Sequence, residues 1–146
     1  MPKLVICSSV TFYPELPEIK KQFEQLGLTV VLPTMAEALV SARTEQEKET
    51  ILHAETVTPE VKRKFIEDYF EQIEKGDWVL AYNRTKHGVT GYIGPNVSME
   101  LTVGFYLKKK LFLWQQPSSE VHGFEEITAM SPEVLGESVK KIAAFL

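Results

Sequence analysis

The stretch "DWVLAYNRTKHGVTGYIGPNVSMELTVGFYLKKKLFLW", residues 77–114, decides how this chain folds. It opens and closes on short apolar runs, "DWVLAYN" (77–83) and "KLFLWQQ" (110–116), whose lengths and aromatic or branched residues suit strands. Between them lies a glycine-bearing loop and then "NVSMELTVGFYLKK" (96–109), which reads as a buried helix. Strand, helix, strand in that order gives two parallel strands joined by a right-handed crossover. Glu100 stands alone as the carboxylate of this apolar helix, just inside what reads as its first turn.

Working outward, "KLVICSS" (3–9) is a strand apolar on both faces. "YPELPEIKKQFEQLG" (13–27) spaces Leu16, Ile19, Phe23 and Leu26 as an amphipathic helix that stops at Gly27, and "LTVVLP" (28–33) is a second strand. Residues 34–57 read as a helical turn or two, "MAEALVSA", followed by a polar loop that could lie over a site. "TPEVKRKFIEDYFEQIEKGD" (58–77) is a helix capped by Thr58, with Pro59 at its first position and Glu60 facing the dipole. Its apolar stripe is Val61, Phe65, Ile66, Tyr69, Phe70 and Ile73. Beyond residue 116, "EEITAM" (125–130) reads as a short fifth strand and "SPEVLGESVKKIAAFL" (131–146) as a final helix. The expectation is a single α/β domain over 1–146: a flavodoxin-like three-layer sandwich with five parallel strands in the order 2-1-3-4-5.

Bulk properties narrow the function. The chain has 146 residues, 44% hydrophobic and 25% charged, with a net charge of −4, which gives no reason to expect a nucleic-acid polymer or an anionic membrane as partner. The lone Cys7 forms no internal disulfide, and no leader or membrane-spanning run is read, so a reducing cytoplasm is expected. No GxGxxG and no Walker A sequence is present, and His53, His87 and His122 lack metal-ligand spacing, so neither a cofactor nor a metal is expected.

In open parallel sheets a ligand binds beyond the carboxyl ends of the strands where their order reverses, here between the first and third strands. That places Cys7, Ser8, Ser9, Tyr82, Asn83, the loop 84–95 and Glu100 around one crevice. Gly91 and Gly94 allow the backbone to approach a ligand. Asn96 reads as the helix cap or a ligand contact, Ser98 as a contact at the helix start, and Tyr13 as a ligand contact or a packing residue. A carboxylate near a helix start is favoured in its charged form by the dipole, so Glu100 is expected to stay ionised unless burial overrides the dipole. The plain alternative is a glutamate that only answers that dipole.

"GDWVLAYN" with "GYIGPNVSMELTVGFYLKKKLFLW" resembles the signature of the nucleoside 2-deoxyribosyltransferase superfamily, which includes the 2′-deoxynucleoside 5′-phosphate N-glycosidases. "KLVICSS" with Phe12 and Tyr13 is similar to the family's first strand and loop, and the resemblance covers most of the domain outside 34–57. It implies that Glu100 attacks the anomeric carbon of a nucleoside or nucleoside 5′-monophosphate, displaces the base and holds the sugar as a covalent ester until water or another base releases it. It also implies self-association as a homodimer or larger homo-oligomer. The family glycine that follows the Glu-Leu pair is Thr102 here, with Gly104 two further on. The family's leaving-group aspartate would fall at Tyr69, with Asp68 beside it, so Asp68 serves, or Tyr69 takes the contact, or the acid is missing. Transferase, hydrolase and non-catalytic nucleotide sensor, or a structural dimer built on the same fold, all remain open at this level.

Overall fold

The computed structural model describes residues 1–52 and 58–146; His53 and the end of the expected 34–57 loop fall outside them. The strands are β1 (Lys3–Ser8), β2 (Thr29–Val31), β3 (Trp78–Tyr82), β4 (Lys110–Leu113) and β5 (Glu133–Val134). They form one parallel sheet in the order β2-β1-β3-β4-β5, as expected. The helices are α1 (Leu16–Glu24), α2 (Thr34–Ser41), α3 (Glu45–Leu52), α4 (Pro59–Lys75), α5 (Pro95–Tyr106) and α6 (Phe124–Ala129), with short 3₁₀ segments at Val10–Glu15 and Val139–Phe145.

The period-2 geometry of β1 explains its continuous apolar run. Leu4 and Ile6 enter a core with Phe23, Leu16 and Phe112, whereas Val5 and Cys7 enter a second core with Ile73, Val79 and Leu101. Each face is thus sealed by its own helices, α1 on one side and α4 with α5 on the other. α4 starts as its sequence indicates, since the Thr58 hydroxyl accepts from the Val61 N–H at 3.2 Å. Such a cap is worth about 1 kcal/mol.

Gly104 brings α5 down onto the sheet: a Cβ there would lie 3.0 Å from Val79 Cγ2 and 3.1 Å from Leu111 Cδ2. The closely packed glycine of this helix is therefore at 104, and Thr102 faces outward, its hydroxyl donating to the Ser98 carbonyl at 2.8 Å.

Three expectations are corrected. "EEITAM" lies in helix α6, opened by Gly123 with Glu125 and Glu126 in the first turn, where the dipole favours them. The fifth strand falls instead at Glu133–Val134, inside the segment read as a helix. Leu135 and Glu137 prolong that edge by donating to the Leu113 and Trp114 carbonyls at 2.8 and 2.9 Å. Ser131, Gly136 and Glu137 all adopt positive φ, which a right-handed helix excludes, so only the 3₁₀ segment Val139–Phe145 remains helical. Finally, α5 begins at Pro95, with Gly94 as its cap, so Asn96 is not the cap and Glu100 lies in the second turn.

Candidate active site

Beyond the carboxyl end of β1 lies a cavity of about 370 Å³. Four segments build it: the end of β1 and the 3₁₀ turn after it (Ser8, Val10, Tyr13), the start of α2 (Pro33, Thr34, Met35), one face of α4, and the first two turns of α5 (Asn96, Met99, Glu100). The α4 contribution is Lys62, Phe65, Ile66, Tyr69 and Phe70, whose spacing of three and four residues puts them on one side of the helix. The cavity is of the size that accepts a small organic ligand.

Glu100 is its acid. The side chain is largely out of water, and that desolvation pushes its pKa up from 4.5 to about 7. The positive charge of Lys62 and a hydrogen bond with the Cys7 thiol pull in the other direction and are outweighed. Burial thus prevails over the dipole, whose influence fades within the first turn and reaches the second turn only weakly. No ion pair holds Glu100 among the described residues. Cys7 is fully buried on the second core, and its burial beside Glu100 holds the thiol protonated, a donor rather than a nucleophile. Tyr13 is held in its neutral form by burial and by the Glu100 charge, so its phenol stays a hydrogen-bond donor. The Tyr69 hydroxyl is committed to the Ile6 carbonyl, which anchors α4 to β1 directly behind the site.

Of the residues singled out from sequence, Ser8, Tyr13, Asn96 and Glu100 meet in this cavity. Ser8 donates its hydroxyl proton to the Tyr82 carbonyl at 3.1 Å and keeps oxygen lone pairs for a ligand donor. The Asn96 amide has no hydrogen-bond partner among the described residues and faces the cavity. Ser9 is outside, accepting from Lys86 Nζ at 3.0 Å, and Ser98 is outside the lining as well. Gly94 serves as the helix cap.

Asn83 and Gly91 belong to a separate structural clamp. The Asn83 amide donates to the Gly91 and Gln115 carbonyls at 3.0 and 2.9 Å, and its oxygen accepts from the Trp114 and Gln115 N–H groups at 2.9 and 3.0 Å. Gly91, at φ 65°, lies so close to the chain that a Cβ would fall 2.7 Å from Pro117 Cα. Both residues bind the loop after β3 to the end of β4. Asp68 lines a different groove, with Glu37, Glu71 and Gln72, and its carboxylate lies 3.5 Å from Lys64. The structure does not bring it to Glu100.

The sequence reading missed Lys62, Met35, Met99 and the use of Phe65, Ile66 and Phe70 as a cavity wall. The signal was present for Lys62, which precedes Phe65 by three and Ile66 by four and so extends the apolar stripe with a charge. Arg84, in the loop 84–95 expected at the crevice, is tied to Glu15 and Glu137.

Solved structures resemble this one, two of them over nearly the whole chain. The CMP N-glycosidase BcmB of Clostridium botulinum superposes with a TM-score of 0.53 at 11% identity, covering 97% of this chain and 98% of that one. A 2-deoxyribosyltransferase of Bacillus psychrosaccharolyticus gives a TM-score of 0.60 at 15% identity, covering 96% of this chain and 89% of that one. No family model and no curated protein sequence matches the chain. With the parallel order, the full-length superpositions and the cavity at the end of β1, the chain carries the nucleoside 2-deoxyribosyltransferase-like fold.

Proposed function

We propose that the protein cleaves the N-glycosidic bond of a nucleoside or nucleoside 5′-monophosphate, with Glu100 as the nucleophile and water or a second base as the acceptor. The observation that carries this reading is an unpaired carboxylate held mostly out of water on the wall of a ligand-sized cavity, beside free polar groups on Asn96 and Ser8. A buried acid without an ion-pair partner is costly, and sites of chemistry are where such groups persist. The two structural neighbours are named as enzymes of nucleoside or nucleotide glycosidic chemistry, which supports the same class.

The chemistry follows from the residues. Cleavage of the C1′–N bond builds positive charge on the sugar, and an adjacent carboxylate stabilises that charge and then captures the carbon. Asn96 and Ser8 face the sugar from the α5 and β1 sides. Phe65, Ile66 and Phe70 give a flat apolar wall of the kind a nucleobase stacks against. The Cys7 thiol acts as the donor that orients Glu100, and the Tyr13 hydroxyl remains a donor on the cavity wall.

Incubating the protein with a panel of deoxynucleosides, ribonucleosides and their 5′-monophosphates, with and without a second base, tests this by chromatography. Released or exchanged base that disappears in Glu100→Gln is the expected result, and no product from any substrate would refute it. Ligand binding without turnover is the second reading, favoured by one observation: Glu100 is the one carboxylate among the described residues lining the cavity. Saturable thermal stabilisation by a nucleotide with no product would select it. A homo-oligomer is also expected, because α4 and α5 pack together and leave Val61, Phe65, Met99, Phe105 and Tyr106 exposed. Light scattering on the purified protein measures it directly.

A further inference from the structure

Glycosidases that work through a carboxylate nucleophile ordinarily set a second carboxyl group beside the leaving atom, because a departing group accumulates negative charge and needs a proton. This cavity lacks that second acid among its described residues, and Asp68 is turned into another groove with Lys64. The same cavity contains one cation, Lys62. Lys62 forms no ion pair with a described carboxylate, whereas its neighbour Lys64 is engaged by Asp68. Its position matters more than its charge alone. It projects from the helix face that supplies Phe65, Ile66 and Phe70, so it adjoins that apolar wall, on a different element from Asn96 on α5 and Ser8 at the end of β1. It is also close enough for its field to act on the Glu100 carboxyl.

We propose that Lys62 is the proton donor to the departing base, doing from α4 what a second carboxylic acid does in paired-carboxylate glycosidases. This deepens the N-glycosidic reading above and rests on it. In the first half-reaction a Glu100 oxygen forms a bond to C1′, the C1′–N bond breaks, and its electron pair stays on the base. The ammonium of Lys62 passes one proton to that base and becomes a neutral amine. In the second half-reaction water attacks C1′, its proton returns to the Lys62 amine, and the Glu100 carboxylate is released. The sum is one water consumed, one base released in neutral form and one free sugar. Where a second base is the acceptor, its N–H proton returns to Lys62 in the same way. The substrate class is accordingly a nucleoside or nucleotide whose base presents a ring nitrogen or carbonyl oxygen along the edge that faces α4.

The test compares two leaving groups on one sugar: the nucleobase of the best natural substrate, and 4-nitrophenolate, which departs without a proton. Lys62→Met should lower kcat on the natural substrate about a hundredfold and on the nitrophenyl sugar less than about threefold. Lys62 is exposed on α4, so the variant should fold like the parent, which circular dichroism confirms. Equal losses on the two substrates, a change confined to KM, or a parental rate on both would overturn the assignment. Glu100→Gln separates the failures. If it abolishes turnover of both substrates while Lys62→Met changes neither, the lysine assignment alone fails. If the parent protein turns over neither, the N-glycosidic reading fails and this inference with it.

Discussion

Asn83 and Glu100 stand at the same edge of the sheet, each polar and each withdrawn from water, and their surroundings differ in kind. Asn83 is 1% exposed and has four hydrogen bonds to backbone groups. Its capacity is used up in tying the loop after β3 to the end of β4. Glu100 has one thiol donor, the field of Lys62 and a cavity in front of it. A saturated polar residue explains itself as structure, whereas a buried acid left short of partners calls for a ligand to complete it. Sequence position alone put both residues in the same crevice; partner count separates a clamp from a site.

The sharpest way to break this contrast is Glu100→Gln, which keeps shape and removes the proposed nucleophile. Turnover should fall on the order of a thousandfold or more, measured as base release. The corresponding change at the clamp, Asn83→Ala, should leave the cavity chemistry largely intact in the protein that folds. It should destabilise the fold by about 2 kcal/mol, because the Gly91 carbonyl and the Gln115 backbone lose their amide partner while the Trp114 N–H keeps the Ala81 carbonyl. Chemical denaturation gives that number, and a loss below about 1 kcal/mol would mean that water replaces the amide.

The raised pKa of Glu100 makes a related, somewhat smaller prediction about pH. The folded state keeps the proton up to about pH 7, whereas the unfolded chain releases it near 4.5. Stability therefore falls as pH rises from about 4.5 to 7 and is level above, by on the order of 3 kcal/mol for this group. Glu100→Gln should cancel that decline, being as stable as the parent at pH 4 and more stable at pH 8. Activity runs the opposite way, since attack needs the carboxylate: kcat/KM should rise through about pH 7. The smallest effect is expected at Asp68. Asp68→Asn should change turnover by less than about twofold, and a large loss would return it to the site through a rearrangement of α4.

The order of the first four strands was legible because each of them advertises itself. "KLVICSS" and "DWVLAYN" are apolar without alternation, which only a strand covered on both sides requires, and helices recur between them. The end of the chain was harder. "EEITAM" has one buried residue, Ile127, so periodicity had nothing to report there. "SPEVLGESVKK" looks like a helix start, yet its backbone leaves the helical region at Ser131, Gly136 and Glu137 because hydrogen bonds to Leu113 and Trp114 hold it at the sheet edge. The start of α5 was displaced for a local reason: Gly94 and Pro95 together form the cap and first position, which moved Glu100 one turn deeper and let desolvation set its acidity.

Local pattern in this chain was enough to determine the first four parallel strands, their order and a lone carboxylate at the ligand edge, because burial on two faces and helical spacing are written in neighbouring residues. Which polar side chains share a cavity depends on contacts between segments far apart in the chain. Asn83 is saturated by residues 91, 114 and 115, and the charge of Lys62 on α4 acts on Glu100 on α5. Only the packed structure could separate Asn83 from Glu100, move Asp68 away and bring Lys62 in, since these are properties of distance in space and of water excluded by packing.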